Sequence, residues 1–412
     1  MPAKKRIFAA VLLCVFLFSA SVHANPEIQA PAAILINSRT GEVLWEKNAH
    51  EIKYPASTTK ILTTLLLLEN AVEDEIALTS RLATTAEGAS LSLAEGQEIR
   101  VEDLLYGLMH QSANDGSVVA AEHVGGSVET FAAIMNLRAK QMGARNSYFT
   151  NPHGLPDEEH VTTAYDLAMI ARSAMMNPRF REIAAAKRHS IPWPDGIPRI
   201  IVNRIPLMRS YEGMLGIKSG YTVAAQQTFV GAAERDGLEL IAVVLQANGA
   251  QLWADTVALL DYGFENFTAI FPVIAGEVLA TVPVRFGETV SLQAANSFEI
   301  TRPQETVDVA LELKVEDGRP APIQKGDILG EAVILVAGEQ VGSVPLIAAN
   351  DVTRAAPTTG RFWLLLLLAV LGGLRIRKLY RRRNGRKKLR LKNGDSVFWS
   401  ENYKSRKLRR MR

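Results

Sequence analysis

At 412 residues with 48 % hydrophobic side chains, the chain is long enough for two or three folding units with a substantial core. Its net charge of +3 hides an uneven distribution: residues 375–412 hold 17 Lys and Arg against 2 Asp and Glu, and residues 1–24 hold three basic residues and no acidic one. Residues 25–374 then hold 26 basic against 41 acidic residues, and a body of net charge −15 argues against a nucleic-acid partner, because it repels phosphate backbones.

Lys4, Lys5 and Arg6 precede a short apolar run, Ile7 to Phe18, and Val22-His23-Ala24 ends in a small residue suited to cleavage before Asn25. Residues 1–24 are therefore expected to be a secretory signal, the apolar run being too short for a spanning helix. The single cysteine, Cys14, lies inside that run behind the bulky Leu13, which does not suit a lipoprotein cleavage site. The mature chain is expected to have no disulfide, no thiol chemistry and no cysteine metal site.

Next, Ala33 to Asn37 and Glu42 to Lys47 flank the turn Ser38-Arg39-Thr40-Gly41 and predict a β-hairpin. Helical patterns follow over Ser57 to Asn70, just after Pro55, then over Val101 to His110, Ser117 to Val124 and Thr163 to Met176. Thr228 to Ala233 and Leu238 to Leu245 read as strands around Glu234-Arg235-Asp236-Gly237, and a helix near Gln251 to Phe264 closes the unit. This order predicts an α+β domain over 25–265, with helices packed around a mostly antiparallel sheet. From about residue 266 strands with frequent Gly and Pro predict a small all-β domain over 266–350, including alternation at Val307, Val309, Leu311, Leu313 and Val315 and a hairpin turning at Gly338-Glu339-Gln340. A linker over 351–361, an apolar membrane segment over 362–374 and a basic cytoplasmic tail over 375–412 complete the expected plan. Thirteen helical residues reach about 20 Å against a hydrocarbon core of roughly 30 Å, so snorkelling by Arg361 and Arg375 or an interfacial placement is needed.

Three short motifs carry the chemistry. They are Ser57-Thr58-Thr59-Lys60, then Ser112-Ala113-Asn114, then Lys218-Ser219-Gly220 with Tyr221-Thr222 behind it. Each alone is common, as a helix start, a turn or a strand end, but the ordered trio is specific. A serine hydroxyl needs a base within hydrogen-bond reach to act as a nucleophile, and positions i and i+3 of a helix share a face, so Lys60 is the candidate base for Ser57. Lysine is a base only when neutral, which burial and a second cation promote; Lys218 can be that cation and can attract a substrate carboxylate. Ser112 can relay a proton to a leaving amine, and the Asn114 amide can bind substrate and orient Lys60.

With its flanks, the trio resembles the low-molecular-mass penicillin-binding proteins that act as D-alanyl-D-alanine carboxypeptidases. Pro55 to Lys60, Ser112 to Asp115 and Gly216 to Thr222 resemble the three family motifs. Asn151-Pro152-His153-Gly154-Leu155, Ala164-Tyr165-Asp166 and Leu259 to Phe264 resemble intervening segments and the end of the catalytic domain, and the likeness covers roughly residues 30–350. It implies the penicillin-binding/β-lactamase-like transpeptidase fold and an acyl-serine mechanism on peptidoglycan stem peptides. It further implies an oxyanion hole at the Ser57 and Tyr221 amides and substrate bound along Lys218, Ser219, Gly220 and Thr222. His153 and Asp166 are expected behind the site, β-lactams are expected as covalent inhibitors, and no metal or organic cofactor is implied. Ser219 departs from the family's usual Thr, and Ala225-Gln226 from the common Ala-Gly.

Competing readings are a D,D-endopeptidase or transpeptidase, a β-lactamase, and a catalytically dead wall-binding protein. Glu158 and Glu159 are not followed by the residues of a class A deacylation segment, and the intact motifs oppose a dead module. Secretion to the outer face of the cytoplasmic membrane is expected. Ala356-Pro357-Thr358-Thr359-Gly360 resembles a wall-sorting signal with Ala at its first position, the alternative being a linker before a retained anchor.

Overall fold

The computed structural model describes residues 25–303, 308–316, 318–355 and 359–389. The expected signal segment 1–24 with Cys14, the first alternating position Val307, residues 356–358 of the sorting-like motif and the tail beyond 389 lie outside these.

The first compact unit is built on a five-stranded sheet in the order Val43–Lys47, Ala32–Asn37, Leu238–Ala247, Gln226–Arg235 and Met214–Thr222, antiparallel throughout. The strand Ala32–Asn37, AAILIN, shows no polar alternation and is buried along its whole length. Both faces of the sheet are covered, so both sets of alternating side chains are apolar. Ile34, Ile36, Ile241 and Val243 face one core with the helices Lys60–Asn70, Asn114–Gly125 and Ala164–Met175. Ala33, Leu35, Leu240, Ala242 and Val244 face the other, closed by Leu252, Leu259 and Leu260 of the helix Gln251–Asn266. A paired ribbon, Phe267–Val273 with Phe298–Pro303, also belongs to this unit. There the buried Asn37 amide donates to Glu299 Oε1 at 2.6 Å and Thr301 Oγ1 at 2.8 Å.

The predicted elements match the observed ones to within a few residues, with two local differences. The first helix opens as a 3-10 turn, Ala56–Thr59, before turning α-helical at Lys60, and the helix from Val101 passes at Gly107 into a π-helical turn ending at Gln111. The helices Val128–Gln141 and Pro178–Ala185 carry no sequence expectation, their apolar faces being narrow.

The second unit has its own core of Val290, Leu292, Ala321, Ile323, Leu346 and Ala348. Val278–Pro283 pairs antiparallel with Thr289–Ala294, which pairs with the end of Glu339–Ala348. The strand Val309–Val315 forms as its alternation predicts, yet Leu311 and Leu313 remain exposed. The expected membrane segment and the start of the expected basic tail lie on one continuous helix, Thr359–Leu389, that passes through Arg361 and Arg375 without a break. No helix among the described residues is long and apolar enough to cross a membrane. The physical reason is that basic residues continue the helix directly after the apolar stretch, where lysine and arginine are good helix formers.

Asp255 ties the chain's entry to the sheet. Its buried carboxylate accepts the Gln29 and Ala30 amides at 3.2 and 2.8 Å and the Gln251 side-chain amide at 2.8 Å. Asp255→Ala leaves these donors unpaired and is expected to destabilise the protein by about 2–4 kcal/mol, read as a lower urea midpoint at unchanged slope. The acylation rate of the remaining folded protein should be unaltered.

Candidate active site

The 3-10 turn Ala56–Thr59 stacks residues i and i+3 over one another, which brings Lys60 directly to Ser57. Lys60 Nζ lies 3.2 Å from Ser57 Oγ, 2.7 Å from Asn114 Oδ1 and 2.7 Å from the carbonyl oxygen of His153. Its side chain is fully buried. Burial pushes its pKa well below the ordinary lysine range, the charge of Lys218 lowers it further, and Asp115 opposes the shift. A neutral amine has two N–H donors and one lone pair. In that neutral form Asn114 Oδ1 and His153 O can take the two donors, which leaves the lone pair for the Ser57 hydroxyl. The amide orientation of Asn114 is fixed by its neighbours, because Nδ2 donates to Glu87 O at 2.6 Å.

The second motif is delivered by the π-helical turn. Ser112 follows it in the left-handed region at φ 59°, and Asn114 opens the next helix with its backbone amide on Ala89 O at 2.7 Å. Asp115, also buried, accepts from Ser90 Oγ at 2.6 Å, Leu91 N at 3.0 Å and Leu93 N at 3.1 Å, and so pins the loop that lies over Asn114.

The third motif lies on Met214–Thr222, the edge strand of the sheet, and an edge strand can pair with an extended peptide. Lys218 is buried and donates to Ser219 O at 2.8 Å. Burial and then the nearby Arg204 lower its pKa to about 7. Gly220 packs against the nucleophile: a Cβ there would stand 2.6 Å from the Ser57 amide nitrogen. A cavity of about 260 Å³ is lined by Ser57, Ser112, Lys218, Ser219, Gly220 and Tyr221, together with Arg204. Thr222 does not line it; its hydroxyl accepts from Ala225 N at 3.0 Å and holds the turn after the strand.

The residues expected behind the site fall in two places. His153 serves Lys60 through its backbone carbonyl, while its ring Nδ1 accepts from Leu155 N at 3.2 Å. Burial, then the charge of Lys60, lowers the ring's pKa to about 3, so it stays neutral. Asp166 is more remote: it accepts from Asn146 N and Ser147 Oγ at 2.7 and 2.8 Å at the start of Ala164–Met175. No group of three or more His, Cys, Asp or Glu able to hold a metal is found among the described residues.

Three further contributors are not among the expected site residues. Arg204 adds a second cation to the cavity and is held by Gln111 Oε1 at 2.8 Å. His160 is buried, with Thr150 N donating to Nδ1 at 3.1 Å, so Nε2 carries the proton and donates to Thr59 Oγ1 at 2.9 Å. It straps the segment that supplies the His153 carbonyl to the turn that carries Ser57, and burial lowers its pKa to about 4. Gly154, at φ 85°, lies so close that a Cβ would meet Ala56 O at 1.8 Å. Only spatial neighbours reveal these roles.

This geometry agrees with the comparisons to known proteins. The family model described as D-alanyl-D-alanine carboxypeptidase matches residues 19–249, and that of the penicillin-binding protein 5 C-terminal domain matches residues 267–354. The chain belongs to the D-alanyl-D-alanine carboxypeptidase family. It is 31 % identical over 371 residues to the D-alanyl-D-alanine carboxypeptidase DacF of Bacillus subtilis, covering 85 % of this chain and 95 % of that relative. Among solved structures it is similar to penicillin-binding protein 5 from Haemophilus influenzae, with 27 % identity, a TM-score of 0.64, and 80 % of this chain and 99 % of that one covered. It is also similar to a serine-to-alanine mutant of the Streptomyces K15 DD-transpeptidase, at 28 % identity and a TM-score of 0.56 over 58 % of this chain and 99 % of that one. As in the family, the α+β unit is followed by a β domain, and the first unit holds all three motifs.

The two lysines set opposite pH limits. As the expected base, Lys60 has to shed its proton before it can take one from Ser57, so activity should rise with pH on the acid side. Lys218 attracts a carboxylate only while charged, and with its pKa at about 7 in the free protein that attraction is lost above neutrality. The kcat/KM of a peptide ending in a free carboxylate should fall on the alkaline side. Lys218→Arg, which keeps its charge, should remove that alkaline limb in a pH–rate profile.

Proposed function

We propose that Ser57 attacks the carbonyl of the penultimate D-Ala of a peptidoglycan stem pentapeptide, with neutral Lys60 accepting the hydroxyl proton. The oxygen of the tetrahedral intermediate is held by the backbone amides of Ser57 and Tyr221. Collapse breaks the bond to the terminal D-Ala, whose amine takes a proton through Ser112. Water then attacks the acyl-serine with Lys60 again as base and frees the shortened stem. Lys218 and Arg204 hold the terminal carboxylate, and the hydroxyl of Ser219 completes that contact. The same serine is acylated by β-lactams, which keep the ring-opened acyl group.

The observation that carries this reading is the set of hydrogen bonds at Lys60, whose buried nitrogen lies within reach of Ser57 Oγ while Asn114 Oδ1 and the His153 carbonyl hold it in place. Benzylpenicillin followed by peptide mass spectrometry should place the adduct on Ser57, and Ser57→Ala should abolish both labelling and D-Ala release. Labelling of another residue, or persistence in Ser57→Ala, rejects the assignment.

The expected location follows the same scheme. Residues 1–24 direct export, and the apolar stretch of the helix Thr359–Leu389 holds the enzyme at the outer face of the cytoplasmic membrane. The support is compositional: Phe362 to Leu374 is apolar and exposed, and basic residues follow. Membrane fractionation checks it. The protein should stay with membranes through a high-salt wash, and joint substitution Leu366→Arg and Leu367→Arg should release it to the soluble fraction with its penicillin acylation rate intact.

A further inference from the structure

The strand Val309–Val315 ends a five-stranded sheet in the order Val278–Pro283, Thr289–Ala294, Glu339–Ala348, Ile328–Val336, Val309–Val315. On its inner side Asp308 O accepts from Ala337 N and Glu316 N donates to Leu329 O, both at 2.9 Å. These two bonds are equally far apart along both strands, so no residue is inserted between them. In such an antiparallel ladder every second residue bonds inward, here the even-numbered ones from Asp308 to Glu316. The N–H and C=O groups of Val309, Leu311, Leu313 and Val315 therefore point outward, to an edge that no strand among the described residues covers.

Side chains alternate along the strand. Leu311 and Leu313, 39 % and 37 % exposed, share one face with Val315, and the exposed Glu312 and Lys314 share the other. Exposed charge usually keeps an edge strand from pairing with its like. Here the two charges are opposite in sign and flank Leu313. A two-fold axis through Leu313, normal to the sheet, sets the strand antiparallel to its own copy. Leu313 then exchanges both backbone hydrogen bonds with Leu313 of the copy, and Leu311 does so with Val315. Between them Glu312 stands opposite Lys314, twice over, in the non-hydrogen-bonded positions where Cα atoms are ~4.5 Å apart and side chains closest. Moving the axis by one residue, to Glu312 or to Lys314, sets like charges opposite each other. At the register centred on Leu313 the edge is complementary to itself in backbone bonds, in charge and in its apolar face.

We propose that Val309–Val315 is a self-association edge that joins two copies of this chain, antiparallel about Leu313, into one continuous sheet. The proposal is independent of the reaction at Ser57.

Sedimentation velocity of the mature full-length protein in detergent, over a range of concentrations, tests it. The wild type should pass from monomer to dimer as concentration rises, and at lower concentration in low salt, because the two ion pairs are exposed. Glu312→Lys and Lys314→Glu should each raise the dimer Kd about tenfold, since each turns two attractive pairs into repulsive ones. Combining Glu312→Lys with Lys314→Glu should restore the wild-type Kd, and all three variants should keep the wild-type rate of benzylpenicillin acylation. Cross-linking reads the register, because the chain's single cysteine, Cys14, lies in the expected signal. Leu313→Cys should oxidise to a disulfide-linked dimer, its two Cα atoms standing ~5.5 Å apart. Leu311→Cys alone should not, but should cross-link when mixed with Val315→Cys. A monomer at every concentration overturns the proposal, even with another protein bound at this edge. So do single charge variants that dimerise like the wild type, a combined variant that stays weak, or cross-linking of Leu311→Cys alone as readily as Leu313→Cys.

Discussion

The structure turns on a buried lysine. Lys60 has no carboxylate in contact, and burial pushes its pKa well below the ordinary lysine range. Its nitrogen is surrounded by three oxygens, those of the Asn114 side chain, the His153 carbonyl and the Ser57 hydroxyl. Asn114 and His153 therefore hold the lysine nitrogen in place, and each reaches Ser57 only through it. Three chain segments far apart in sequence must converge within hydrogen-bond distance of that one atom.

Much of the first unit is devoted to holding those segments still. His160 joins the loop carrying His153 to the turn carrying Ser57, Thr63 Oγ1 anchors the same loop through Pro152 O at 2.6 Å, and Gly154 permits the close approach. On the opposite wall, Thr228 of the neighbouring strand donates to Pro55 O at 3.1 Å, and Gly220 leaves room for the Ser57 amide. The left-handed conformations at Ala56 and Ser112 are stabilised by this packing rather than by local preference. The cost of strain and burial concentrates where the chemistry is, and the doubly covered sheet supplies the rigidity that offsets it.

The charges are arranged along the same axis. Lys218 sits deep at one end of the edge strand, and Arg204 nearby makes its charge harder to keep until an anion arrives. The exposed carboxylate of Glu158 lies at the other end, near the turn that follows Thr222.

What the sequence determined by itself was the chemistry and the order of elements. The motifs at Ser57, Ser112 and Lys218 single out the residues that the structure brings to one cavity, because those side chains have few alternative uses in that order. The hydrophobic periods place the main helices and strands, because burial on one face or two leaves a pattern in any window of residues. What only the tertiary structure decided were the contacts without local pattern. That His153 acts through its carbonyl rather than its ring, that His160 and Arg204 join the site, and that Thr222 serves the turn all depend on neighbours brought in by the fold. Backbone carbonyls are the same on every residue, so no side-chain pattern can mark the one that Lys60 will use. The C-terminal helix shows the same limit from the other side: composition places an apolar stretch and a basic stretch there, and the fold joins them into one element.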